Sequence, residues 1–128
     1  MLEPVGGSIH DRWKVWDRFR DGFLEALSHC HGSHNEDDVL VRIATQAYQI
    51  WDGGTVATVT NLIEMPRFKA INIFLAAGDL EQLHTLTADG EAWAKQQGIS
   101  RLICGGRSGW LRAFPGTQSM GLLMYRDL

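Results

Sequence analysis

Apolar residues recur at three- and four-residue spacing from Ile9 to Leu27, through Trp13, Trp16, Phe19 or Arg20, Phe23 and Leu24, which predicts a helix with one buried face. Ser8 stands at the N-cap position and Asp11 in the capping-box place. The polar run SHCHGSHNEDD breaks the pattern and reads as a loop. Asn35 or Ser33 then caps a second helix that turns Val39, Leu40, Ile43 and Ala44 or Ala47 inward and ends near Tyr48. From there the period shortens. Tyr48 to Trp51, the turn Asp52-Gly53-Gly54 and the β-branched run Thr55 to Ile63 predict a hairpin. After a break at Met65-Pro66-Arg67, Ala70 to Ala76 resumes the strand pattern, with Ile71, Ile73 and Leu75 on one face and Phe74 on the other.

Asp79 is placed to cap a long helix in which Leu83, Leu86, Gly90, Trp93, Ala94 and Gln97 share a face and Gly98 closes the end. The apolar strand Arg101 to Cys104 follows directly. A strand reached through a helix lies parallel to an earlier one, so a parallel pair is expected within an otherwise antiparallel sheet. Gly105-Gly106 leads into a short helix, Ser108 to Phe114, stopped by Pro115-Gly116, and Gly121 to Tyr125 reads as a last strand. The expected fold class is α/β: a mixed, mostly antiparallel sheet with one parallel strand pair and flanking helices, in a single domain over residues 1–128.

Composition narrows the function classes. A length of 128 residues suits one hydrophobic core. A net charge of -3 supplies no basic surface for phosphates, so no nucleic-acid partner is expected. Arg12, Lys14, Arg18 and Arg20 alternate with Asp11, Asp17 and Asp21, the pattern of a solvated helix face. The start lacks the features of a secretory signal and no apolar run has the length of a membrane span, which gives the expectation of a cytoplasmic protein with no membrane partner. Cys30 and Cys104 stand far apart without a CxxC motif, as reduced cytosolic thiols do.

Two clusters invite chemistry. His29, Cys30, His31 and His34 lie within six residues, and imidazole and thiolate are good zinc ligands, but no second ligand pair follows and adjacent ligands strain a tetrahedral site; no metal is expected. The doubled glycine of CGGRSG, with Arg107 beside it, has the makings of an anion nest without the spacing of a nucleotide fingerprint, and Trp110 and Arg112 read as packing residues. Core packing is the default for Trp13, Trp16 and Trp51, with any aromatic area left exposed open to a partner, and the edge of the meander or the last strand is a pairing template for a homo-oligomer.

The order helix, helix, three-stranded meander, long helix, parallel strand, short helix, final strand resembles the GNAT superfamily of acyl-CoA-dependent N-acyltransferases. The run TADGEAWAKQQGISRLICGGRSGWLRAFPG is similar to small GNAT-like proteins encoded by tailed phages and prophages. The resemblance implies that Ala70 to Ala76 splays from Arg101 to Cys104, that acetyl-CoA lies in the cleft, and that the backbone of Phe74, Leu75, Ala76, Ala77 and Gly78 holds its pantetheine arm. It further points to Glu64 as the base, with a solvated carboxylate paired with Arg67 as the plainer alternative for that residue, to Asn61 and Arg67 as substrate-orienting groups, and to an amine of a protein or small molecule as acceptor. The histidine loop would overhang that acceptor.

The chain departs from the family pattern in two places. Leu75-Ala76-Ala77-Gly78-Asp79-Leu80-Glu81 has one glycine where the pyrophosphate motif has two, no preceding Gln or Arg, and two carboxylates in the anion's place. Ala113-Phe114-Pro115 stands where a tyrosine acid would fall, and Tyr125 is expected in a strand core or against a partner. Two readings therefore stand side by side: an acetyl-CoA-dependent N-acetyltransferase with a degenerate pyrophosphate loop, or a non-catalytic phage-encoded GNAT-like binding or virion-associated protein.

Overall fold

A computed structural model describes residues 1–105 and 114–128. Its elements run α1 (Ile9–Ser28), α2 (Glu36–Ala44), β1 (Tyr48–Asp52), β2 (Val56–Glu64), β3 (Lys69–Gly78), a 3-10 turn (Leu80–Gln82), α3 (Leu83–Gln96) and β4 (Arg101–Cys104). The strands form one sheet in the order β1-β2-β3-β4. The first three are antiparallel and β4 lies parallel to β3, as the helical connection requires. The α/β fold class and the parallel pair expected from the sequence are both present.

Helices cover both faces. Val15, Trp16, Phe23 and Leu27 of α1 and Val39 and Ile43 of α2 pack on Ile50, Ala57, Val59, Leu75 and Ala77. On the other face Leu83, Leu86 and Ala94 of α3 pack with Trp51, Val56, Ile71 and Ile99. Ser8 caps α1 through the Asp11 amide at 3.3 Å, and Asn35 and Asp38 form a reciprocal capping box on α2.

Four expectations are corrected. The buried stripe of α1 includes Arg12 and Val15 while Ile9 is exposed. Arg12 is not on a solvated face: its guanidinium donates to the carbonyls of Gly7 at 3.2 Å and Ala44 at 3.4 Å, where α2 ends and its dipole favours a cation. Lys14, Arg18 and Arg20 do lie on the solvated face, where Arg18 pairs with Asp52 of β1 and Arg20 with Glu36 of α2. The second helix ends at Ala44, because Thr45 caps it and Gln46 turns left-handed at φ 63°, before Tyr48 opens β1.

The third correction concerns β3. Its register on β2 steps from Val59↔Leu75 to Thr60↔Ile73, so Phe74 is an extra residue, a β-bulge. A bulge breaks the alternation of side chains. Leu75 therefore joins Phe74 on the α1/α2 face, while Ile71 and Ile73 line the α3 face. The last correction is at the C-terminus. Residues 117–128 form no strand; Leu122, Leu123 and Met124 are exposed, and among the described residues no strand pairs with the segment Gly121 to Tyr125. The predicted helix Ser108 to Phe114, with Arg107, Trp110 and Arg112, falls on positions 106–113, outside the described residues.

Candidate active site

β4 pairs with β3 only from Ala70↔Arg101 to Ile73↔Cys104. β3 runs on to Gly78. The backbone of Phe74, Leu75, Ala76, Ala77 and Gly78 thus has β2 on one side and, among the described residues, no strand on the other. Every second residue of such an edge offers an N–H and a C=O to an extended ligand. The edge is held rigid from behind. Gly22 lets α1 ride directly on β3, since a Cβ there would stand 2.8 Å from the Ala77 Cβ. Gly78 adopts φ +93°, and any side chain would collide with the Thr55 carbonyl oxygen and the Phe19 ring. The Thr55 carbonyl also accepts the Asp79 N–H at 2.8 Å. Backbone conformation and packing thus both call for glycine at position 78.

The turn after β3 is closed on itself. Asp79 accepts the Glu81 N–H at Oδ1 (3.1 Å) and the Gln82 N–H at its carbonyl (3.0 Å), and the Leu83 N–H is bonded to the Leu80 carbonyl. Asp79 and Glu81 add two negative charges. An acyl-pantetheine arm fits the open edge of β3. In the turn itself the Asp79, Glu81, Gln82 and Leu83 amides are bonded within the chain, and the Asp79 and Glu81 carboxylates disfavour an anion beside it.

At the bulge, four elements converge on the α1/α2 face. The Phe74 ring lies 4.7 Å from the His34 ring and 5.7 Å from the Tyr48 ring, centroid to centroid. Tyr48 OH lies 3.0 Å from His34 Nε2, and Ser33 Oγ lies 2.7 Å from His34 Nδ1. Asn61 is the cross-strand partner of Tyr48 and accepts the Asn72 amide at 2.9 Å. Arg42 of α2 places its guanidinium 5.9 Å from the Tyr48 ring. His31, at φ 54°, and Gly32, at φ 77°, make the tight turn that delivers Ser33 and His34 over β1. His31 itself meets the Tyr125 ring at 5.2 Å.

The residues expected from sequence divide accordingly. Asn61 and the Phe74 to Gly78 backbone are brought together with this cluster. Glu64 and Arg67 are not: both are exposed at the β2–β3 turn, and Glu64 pairs with Lys69 at 3.4 Å. That turn is about 16 Å along β3 from Phe74 at the rise of an extended strand. Phe114 is buried with the α3 core and meets the His84 ring at a tilt, 5.2 Å between centroids. His34 and Tyr48 were missed as a pair. Their signal lay in the hairpin: with Gly53-Gly54 at the turn, Tyr48 falls opposite Asn61 on the face the loop covers.

Partial burial pushes the Cys30 and Cys104 thiols up, which disfavours the thiolate at both. Among the described residues, no three His, Cys, Asp or Glu side chains converge as metal ligands, and no helix is long and apolar enough to cross a membrane.

This arrangement of a bulged strand, a shorter parallel neighbour and a helix pair over one face is a GNAT-like fold. The chain is similar to an aminoglycoside acetyltransferase from an uncultured soil metagenomic sample, solved in complex with sisomicin, at 11% identity and a TM-score of 0.69 over 100% of this chain and 95% of that one. It is similar to a Trypanosoma brucei acetyltransferase at 15% identity and a TM-score of 0.58, covering 100% and 99%. It is also similar to a GCN5-related N-acetyltransferase from Ralstonia eutropha JMP134 at 18% identity and 0.57, covering 97% and 99%. At such identities the likeness is one of fold. No family model and no curated protein matches the chain in sequence.

Proposed function

We propose that the chain is an N-acyltransferase that takes an acyl group from a pantetheine thioester, acetyl-CoA being the simplest, to an amine of a protein or small molecule. The observation that carries this reading is the open half of β3: a bulged, rigid strand edge from Phe74 to Gly78 that outruns its parallel neighbour. The thioester supplies an activated carbonyl. The chain's own part is to align the arm by strand-like hydrogen bonds and to exclude water with the α1–α2 loop, while polar groups gather at Phe74 to receive the amine. Acetyltransferases among the similar solved folds support the reaction class.

A second reading is favoured by the Asp79–Gln82 turn. A chain that fills its anion seat with carboxylates suits a non-catalytic binding domain on the same fold, phage-encoded or virion-associated as the sequence resemblance implies. Calorimetry with acetyl-CoA separates the two, alongside the melting temperature. A ligand that binds only the native state at a hundred times its Kd stabilises it by about 2.7 kcal/mol. No heat and no shift at millimolar acetyl-CoA would sink the enzyme reading and leave the binding domain.

A further inference from the structure

We propose that Ser33, His34 and Tyr48 form a proton relay, with Tyr48 as the group that exchanges a proton with the reacting amine and His34 as the reservoir behind it. The inference rests on the acyltransfer reading above and assigns its acid–base group, for which the loop before β1 and β1 itself take the place of the absent tyrosine near Phe114.

The geometry is that of a relay. Tyr48 OH and His34 Nε2 are 3.0 Å apart, His34 Nδ1 and Ser33 Oγ 2.7 Å apart, so both ring nitrogens are engaged at hydrogen-bond distance. A neutral imidazole carries one proton, and the hydroxyls at its two ends can each donate or accept. Two arrangements follow. With Nδ1 protonated toward Ser33, Nε2 accepts the Tyr48 proton and polarises the phenol oxygen as a base. With Nε2 protonated toward Tyr48, the phenol proton is free to be donated outward.

The placement is equally specific. His34 and Tyr48 both pack on Phe74, the one residue of β3 that the bulge takes out of register and the first residue beyond the last β3–β4 pair. Both rings are half-buried, so the relay is shielded yet reachable. The Asn61–Asn72 amide pair beside Tyr48 adds polar contacts without a competing charge. Arg42 is the charged side chain that faces the Tyr48 ring, from α2. Neither cysteine nor Glu64 has a comparable position.

The balance closes within one turnover. As the acceptor nitrogen bonds to the thioester carbonyl carbon, its proton passes to the Tyr48 oxygen while the Tyr48 proton passes to His34 Nε2. As the C–S bond breaks, the same proton returns through Tyr48 to the departing sulfur, leaving an amide and a thiol. No redox partner is needed.

The test uses the full chain and two readouts. In nitrogen NMR of the histidine rings, Tyr48→Phe should alter the His34 ring signals and leave the other four histidines in place, and acetyl-CoA should move His34 in the wild type. Steady-state assay of acetyl-CoA with a set of primary amines should show kcat reduced about 100-fold or more in Tyr48→Phe and His34→Gln, with KM for acetyl-CoA little changed. Ser33→Ala should lose far less. Thermal melts check that each variant folds, and His34→Gln keeps the readout if Tyr48→Phe does not. Unchanged His34 signals on acetyl-CoA binding, or full activity in folded variants, overturn the relay while the acyltransferase reading stands. A wild type that neither binds acetyl-CoA nor turns over overturns both.

Discussion

The two halves of β3 share one strand and differ in everything that bears on function. From Ala70 to Ile73 the strand lies between β2 and β4, with both backbone edges occupied, and its outer end is a solvated turn carrying Glu64, Arg67 and Lys69. From Phe74 to Gly78 it loses β4, bulges, and is held instead by α1 pressing on Ala77 through Gly22. A strand paired on both sides has no backbone left for a ligand, and the charged side chains at its end face solvent, Glu64 beside Lys69. A strand paired on one side needs another element to keep it straight, and the element that does so here also brings the loop of Ser33 and His34 to the same spot.

That contrast can be broken experimentally, most severely at Gly78. Gly78→Ala forces a side chain onto the Thr55 carbonyl at a positive φ, and is expected to cost about 3 to 5 kcal/mol of unfolding free energy by denaturant titration. A loss under 1 kcal/mol would mean that the open half is not held as described. Gly22→Ala should cost about 1 to 3 kcal/mol by wedging α1 from Ala77, and should weaken acetyl-CoA binding more than an equally destabilising change at the α3 face does. Calorimetry on the folded variant reads that difference.

The closed turn gives a gentler handle. Asp79→Asn with Glu81→Gln removes two charges from the anion seat and keeps an amide oxygen for the cap. If the carboxylates repel a diphosphate, coenzyme A should bind several-fold more tightly in the double variant, about 0.3 to 1 kcal/mol for each charge, while pantetheine is unaffected. Equal changes for both ligands would place the diphosphate elsewhere. Smallest of all, Glu64→Gln breaks an exposed pair with Lys69 and should move stability by less than about 0.5 kcal/mol and leave kcat at the wild-type value. A large loss of kcat would return the base to the solvated half of the strand.

Periodicity located every element of the described sheet, because strand and helix periods are local properties of where apolar side chains fall. The same reasoning placed the parallel strand, since a helix between two strands leaves few topologies. It failed on faces. Ile71, Ile73 and Leu75 alternate perfectly in sequence, yet the bulge at Phe74 sends Leu75 to the opposite side, and nothing local to β3 announces an extra residue. It failed again for Arg12, whose alternation with acids looks solvated until the end of α2 is seen to need a cation. The strand pattern of Gly121 to Tyr125 was read correctly as apolar, but a strand exists only with a partner edge.

The sequence by itself determined the order of elements, the mixed sheet, the single glycine of the turn and the two carboxylates that follow it. Only the tertiary structure decided that Gly78 sits against Thr55 and Phe19 with no room for a side chain, that Glu64 faces solvent beside Lys69, and that His34 meets Tyr48 behind Phe74. The reason is separation along the chain. A cap, a turn or a strand is written in neighbouring residues, whereas a hydrogen bond between a loop and a strand depends on how three other elements pack between them.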